Sequence, residues 1–478
     1  MTHPTPDWET LEGKISGEVV FPESSGYESA RKPAIARFHG TRPLVVVLCE
    51  TPEDVSETIS FARRYGLRSV PRSGGHCFAG RSSTEGIVID VSPMRSVSIS
   101  GDVATVGAGA RLGHVYDALE KHGLTIPAGC GPDVGIAGLT LGGGLGILGR
   151  KHGLTSDHLL AAQVVLADGS IVECDEHNES DLFWALRGSG GGNFGIVTSL
   201  VFETVPAPEA TAFYLAWPHA HAATVVGAWQ DWAPDAPDDL AASLHVFAPD
   251  DPGRPPTVSV SGAMLGPEPD ARRLLEELVL RSGVDPTAAT FEHASYRQTK
   301  RDLAEHGPGD DRPDGHPYNK SEFFRERLPT EAVTALVENL EEGRVPGLSR
   351  ELDFTPWAGA YNRVPAEATA FAHRDARFLL LHVAVVEPDA PPAQRKAARD
   401  WLARSWAAVR PWGTRGVYPN FPDPDLEDWA RAYHGPNLER LTLVKARYDP
   451  DGYFRFHQSI PPQGTTPGAR PARAAERA

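Results

Sequence analysis

Cysteine is scarce: there are 4 in 478 residues, at Cys49, Cys77, Cys130 and Cys174. So few, so scattered, exclude a disulfide-stapled scaffold, and none has the paired spacing of a zinc site. Positive charge is short as well. Against 63 Asp and Glu there are 46 Lys and Arg, a formal charge of −17. Such a surface repels phosphates, which excludes a general nucleic-acid binder. No apolar run is long enough to span a bilayer. The opening Met1-Thr-His-Pro-Thr-Pro-Asp-Trp8 has neither the basic nor the apolar region of a secretory signal. The expectation is a cytoplasmic protein with no membrane or nucleic-acid partner.

What is present is an enzyme-like balance, with 41% hydrophobic and 23% charged residues. The length exceeds one ordinary hydrophobic core, so two domains are expected. Glycine is concentrated in three places. Arg72-Ser73-Gly74-Gly75-His76 follows a helix-like run (52–65) and a short strand-like segment. Adjacent glycines let the backbone approach a bound group closely and present N–H donors to it, which suits a pyrophosphate. The second stretch runs from Pro127 through Cys130, Val134 and Gly138 to Gly142-Gly143-Gly144-Leu145-Gly146, and the third is Arg187 through Asn193 and Gly195-Ile196-Val197. With strand and helix patterns between them, the three loops describe one extended cofactor bed.

The texture along the chain supports five segments. Residues 1–35 form an irregular N-terminal lead-in. Residues 36–206 alternate short β-branched strands with helices and carry all three glycine loops. A Pro-rich boundary at Pro206-Ala-Pro208 opens 207–412, where strand runs (257–265, 378–386) alternate with helices (270–280, 330–342, 392–408). This predicts an α+β substrate domain. Residues 413–462 return through Tyr418-Pro-Asn420-Phe421, and 463–478 are a Pro/Ala/Arg-rich tail expected to be disordered. Residues 310–318 read as a polar loop.

The order of these motifs resembles that of the berberine-bridge-enzyme-like FAD-linked oxidases, of the vanillyl-alcohol-oxidase and p-cresol-methylhydroxylase superfamily. Further matches are Lys320-Ser321, Tyr361-Asn-Arg-Val-Pro, His373-Arg374, Tyr433-His-Gly-Pro-Asn437 and Phe454-Arg-Phe-His-Gln458-Ser-Ile460. The resemblance covers roughly 36–462. It implies a two-domain α+β fold of the p-cresol-methylhydroxylase type, its substrate domain an antiparallel sheet covered by helices. It implies FAD bound along Arg72, Ser73, Gly74, Gly75, His76, Val134, Gly138, Gly142 and Gly143, with Asn193, Gly195, Ile196, Val197 and Gln458 completing the site. His76 would bond covalently to the flavin 8α carbon. Many relatives add a bond from a cysteine to flavin C6. Here Cys130 stands one residue early, with Gly131 in the expected place, so both one and two attachments stay open.

The family reaction moves a hydride from a substrate carbon to flavin N5 while a base takes a hydroxyl proton, and O2 then reoxidises the flavin to give H2O2. A base is needed because a neutral alcohol is a poor hydride donor. No metal is implied. The resemblance puts His382 on the strand over the flavin, on one face with Leu380 and Ala384. Relatives usually have a tyrosine where Phe421 stands, and Phe421 can carry no proton. Tyr418 is the second catalytic candidate. The implied substrate is a small molecule, a specialised metabolite or a carbohydrate. A dehydrogenase using another acceptor, and a non-catalytic flavin-binding protein, are the alternatives. The dinucleotide-like Gly142–Gly146 run does not support a nicotinamide enzyme, because it does not directly follow a first strand.

Overall fold

The computed structural model describes residues 5–305 and 315–464. The N-terminal part of the expected polar loop and the tail from 465 lie outside the described residues.

Thr51 starts the first long helix, Pro52–Tyr65, as a capping box. Its hydroxyl accepts the Asp54 N–H, the Asp54 carboxylate accepts the Thr51 N–H, and proline occupies the first turn. Gly66, at φ +64°, ends it. The helix packs beside a four-stranded sheet whose order is Glu18–Val20, Val45–Leu48, Ile87–Asp90, Ser69–Arg72. The last three strands are parallel, so they end together, and Ser69–Arg72 delivers the first glycine loop. A second sheet is antiparallel, in the order Val97–Ser100, Val103–Gly107, Ile196–Glu203, Leu159–Val165, Ile171–Asp175. Its strand Ile196–Glu203 begins where the third glycine loop ends. One apolar core, including Val47, Ile59, Ile89, Val115, Leu200 and Phe202, joins both sheets.

The remaining large element is a seven-stranded antiparallel sheet. Its order is Ala288–Ser295, Glu209–Pro218, Thr257–Leu265, Leu240–Ala248, Leu348–Pro356, Phe378–Val386, His316–Phe324. Side chains alternate across it. Leu244, Val246, Val260, Leu352, Phe354, Leu380 and Ala384 face the helices Ala222–Trp232, Glu268–Ser282, Thr330–Glu341 and Pro392–Val409 and form a second core with them.

The opposite face meets the glycine loops at two places. Ala210, Ala263 and Leu265 pack with Ile147 and Leu148. Phe323 and Leu379 pack with Leu145, Tyr418 and Phe371. After the last helix of the sheet layer, the chain turns back at Val417 and ends against the first core through Leu441, Val444 and Phe454. The architecture is the expected α+β arrangement with an antiparallel sheet covered by helices.

Candidate active site

The glycine loops enclose a cavity of about 400 Å³. Close approach is what the glycines are for. A Cβ on Gly74 would lie 2.3 Å from the Gly135 nitrogen, so the first two loops run backbone to backbone. Gly75 is at φ +74° against Pro33 and Ala34. The Ser73 hydroxyl donates to the Ala108 carbonyl at 2.7 Å. Arg72 turns its guanidinium away from the cavity and donates to the carbonyls of Ala30, Arg31 and Ser82. Its role is to hold the lead-in segment and the 82 turn around the loop.

Arg72, Ser73, Gly74, Gly75 and His76 all line the cavity, and so do Val134 and Gly138. Gly195, Ile196 and Val197 join them from the third loop. The His76 Nε2 is buried without a hydrogen-bond partner among the described residues. Burial lowers its pKa, outweighing the attraction of Asp133, so the imidazole is neutral at neutral pH. A neutral, unpaired ring nitrogen on a cavity wall has a lone pair or proton to offer an incoming group.

Five expected cofactor contacts are placed behind the wall. A Cβ on Gly142 would strike the Asn420 side chain at 2.1 Å, and Gly143, at φ +114°, faces Phe371. These glycines let the second loop pass the C-terminal segment and Phe371. Asn193 donates to the Ser189 and Gly190 carbonyls and accepts the Ile460 N–H, tying the third loop to the chain end. Gln458 donates to the Asp423 carbonyl at 2.8 Å and accepts from Arg81 at 3.0 Å. Cys130 is not on the wall either. Its pKa is raised by burial, and the charged group it senses is Lys300.

Tyr418 does line the cavity. Its hydroxyl oxygen accepts from the Gly144 and Leu145 N–H groups at 2.9 and 3.2 Å and from Asn420 at 3.2 Å. Burial still pushes its pKa up to about 12. Phe421 also lines the cavity, with its ring 5.0 Å from Tyr418 and 6.2 Å from Phe78.

His382 corrects the sequence expectation. It shares a face with Leu380 and Ala384, as the alternation requires, but that face is the one under the helices. Its Nδ1 is 2.9 Å from the Ser405 hydroxyl of Pro392–Val409, the residue is fully buried, and burial drives its pKa down to about 3. Leu381 and Val383 hold the other face, because Phe378–Val386 is apolar on both.

The sequence reading missed the polar row on that other face. Ser243 and His245 of one strand, Ser259 and Ser261 of the next, and Glu351 and Asp353 of a third alternate with apolar residues that face the helices. His245 Nδ1 lies 3.0 Å from Glu351 and 3.9 Å from Asp353. The signal was available: polar residues at every second position of otherwise apolar strands. Arg81 was missed too. It lines the cavity and covers the Phe456 ring at 4.3 Å, and no residue-type pattern distinguishes it.

Comparison with known proteins bears on this geometry. Residues 43–175 match the FAD binding domain family, and residues 417–461 match the berberine and berberine-like family. The FAD-linked oxidoreductase YgaK of Bacillus subtilis is 33% identical over 459 residues, covering 94% of this chain and 98% of that one. The chain belongs to the berberine-bridge-enzyme-like FAD-linked oxidoreductases.

Chitooligosaccharide oxidase of Gibberella zeae is 31% identical, covering 88% of each chain. Among solved structures, glucooligosaccharide oxidase from Acremonium strictum, described with a 6-S-cysteinyl, 8α-N1-histidyl FAD, superposes with a TM-score of 0.84. It is 26% identical and covers 96% of this chain and 99% of that chain. This protein is therefore an FAD-dependent oxidoreductase. The berberine-like match spans the segment that supplies Tyr418, Asn420 and Phe421 to the cavity. Among the described residues no helix is long and apolar enough to cross a membrane.

Proposed function

We propose that this chain is a covalent flavoprotein oxidase in which His76 carries the flavin. The carrying observation is the buried, unpartnered His76 Nε2 on the wall of a glycine-lined cavity. The residues present fit FAD: glycine backbone in close approach beside His76, and aromatic and aliphatic walls at Phe421, Phe78 and Leu145. Bound FAD supplies two-electron acceptance from the substrate, and O2 is the final acceptor, giving H2O2. We assign a single attachment. Cys130 lies off the cavity wall, beside Lys300, and keeps its thiol.

The substrate is a hydroxylated small molecule, with a carbohydrate favoured. Serines 243, 259 and 261 with His245, Glu351 and Asp353 make a polar surface on the sheet face that abuts the glycine loops. Polyhydroxylated ligands suit such a face, because hydroxyl, imidazole and carboxylate groups can exchange hydrogen bonds with a sugar's hydroxyls. A histidine backed by a carboxylate is an arrangement that accepts a substrate hydroxyl proton, which makes His245, held by Glu351 on the sheet face toward the glycine loops and outside the cavity lining, the acceptor in this reading. Tyr418, protonated at neutral pH, orients groups at the cavity and does not act as the base. The segments 36–206 and 413–462 form the flavin-binding part, and 207–412 the substrate-binding part.

The test is peroxide production with chitooligosaccharides, glucooligosaccharides and simple alcohols under air. Oxygen uptake matched by H2O2 supports the oxidase. Bleaching of the flavin by substrate without recovery in air would instead identify a dehydrogenase using another acceptor.

A further inference from the structure

Lys300 lies on the helix Tyr296–Glu305, at the edge of the large sheet, and is fully buried. Its Nζ donates to the carbonyls of Ala128 and Gly129 at 2.5 and 3.0 Å and to the Tyr116 hydroxyl at 2.6 Å. Two rings flank it: the Tyr116 centroid is 3.9 Å away and the Tyr296 centroid 5.0 Å. Tyr116 in turn donates to the Gly129 carbonyl at 2.7 Å. Among the described residues no carboxylate pairs with this ammonium. Nearby Asp117 is held by Arg297 and Arg301 instead.

A buried cation without a counter-ion is costly, and burial brings the Lys300 pKa down to about 7. Carbonyl dipoles and ring faces compensate only partly. A leucine or methionine would avoid that cost but would leave the Ala128 carbonyl without this donor. The place of the charge is what bears on the cavity. Gly129, whose carbonyl it holds, lines the cavity beside Leu139 and Leu145, and Leu145 donates to Tyr418. The turn that follows reaches Asp133, which acts on His76. The ammonium therefore sits just behind the cavity wall at Gly129, on the loop that also brings Asp133 to His76.

We propose that Lys300 is a positioning residue that raises the electron affinity of the bound flavin, holding a positive charge behind the wall through the Ala128 and Gly129 carbonyls. Reduction adds electron density to the ring, and below about pH 7, where Lys300 carries its proton, the cation in a low-dielectric setting stabilises the reduced form more than the oxidised one. The inference rests on the flavin reading above.

The test is the midpoint potential of the protein-bound flavin at about pH 6, where Lys300 is protonated, read by dye-equilibrated reduction, in wild type, Lys300→Met and Lys300→Arg, together with sulfite affinity as a second measure of electron affinity. Lys300→Met is expected to shift the reduction equilibrium about tenfold toward the oxidised flavin, ~30 mV more negative. Sulfite binding should weaken in parallel, and Lys300→Arg should remain close to wild type. If Lys300→Met does not load flavin, Lys300→Gln, which keeps a donor for the Gly129 carbonyl, is read against the same expectation. A neutral variant with wild-type potential and sulfite affinity would overturn the proposal. A wild type that carries no flavin would instead remove the reading beneath it.

Discussion

The Tyr418 hydroxyl accepts the backbone N–H of Gly144 at 2.9 Å. One side chain from the returning C-terminal segment thereby fixes the tip of the second glycine loop. Leu145 and Asn420 donate to the same oxygen.

Replacing Tyr418 with Phe leaves those donors facing an apolar ring. Each buried unsatisfied group costs about 1–3 kcal/mol. The expected outcome is an unfolding free energy, from urea midpoint and slope, lowered by at least that amount, with the flavin still attached. Unfolding curves and gel fluorescence check the two halves separately.

Arg374 and Asp157 form a second link of this kind. The guanidinium donates to both carboxylate oxygens at 2.6 and 2.8 Å, and both side chains are buried. Asp157 also accepts the Leu154 N–H. Removing one partner leaves an uncompensated buried charge, so Arg374→Met is expected to destabilise by about 3–5 kcal/mol. Chemical denaturation of flavin-loaded protein measures it.

His382 separates two accounts of the proton transfer. Because it lies under Pro392–Val409 and bonds Ser405, His382→Leu should change the rate of flavin reduction by less than about threefold, whereas loss of a general base costs ~10²–10⁴-fold. His245→Ala should show the larger loss. Stopped-flow reduction with the substrate found in the oxidase assay gives both numbers, and the reverse ranking would return His382 to the active site.

Acid should destabilise the fold through three buried histidines. Burial holds His382 and His434 near about 3 and His373 near about 4. These folded values lie below the unfolded value of roughly 6.5, so between the two only the unfolded chain binds the proton. The stability they contribute is present above pH ~6.5 and is lost as pH falls toward the folded values, by up to ~1.4 kcal/mol per pH unit for each. Urea midpoints from pH 7 to pH 4 should fall steadily, and less steeply in His382→Leu.

Much of this was readable from residue types. Pro52–Tyr65 carries its own cap and stop in Thr51 and Gly66, and Phe378–Val386 is bounded by polar residues, so both emerge from local sequence. The glycine loops marked the cofactor site because close backbone approach demands glycine. What failed was the choice of face. Phe378–Val386 is apolar on both sides, so alternation grouped His382 with Leu380 and Ala384 without saying which side held helices. Gly142, Gly143, Asn193 and Gln458 have residue types that suit a cofactor equally well as a neighbouring loop, and only the return of residues 418–460 across the site decides between them. Lys300 meets Ala128 and Gly129 from more than 170 residues away, a pairing no local pattern encodes.

The most direct measurement is flavin fluorescence of the denatured protein on a gel, for wild type, His76→Ala and Cys130→Ala. A fluorescent band in wild type and Cys130→Ala that is absent in His76→Ala is the expected result, and it places one covalent flavin on His76. A wild-type band without fluorescence, its flavin released on denaturation, would contradict the covalent assignment of this site.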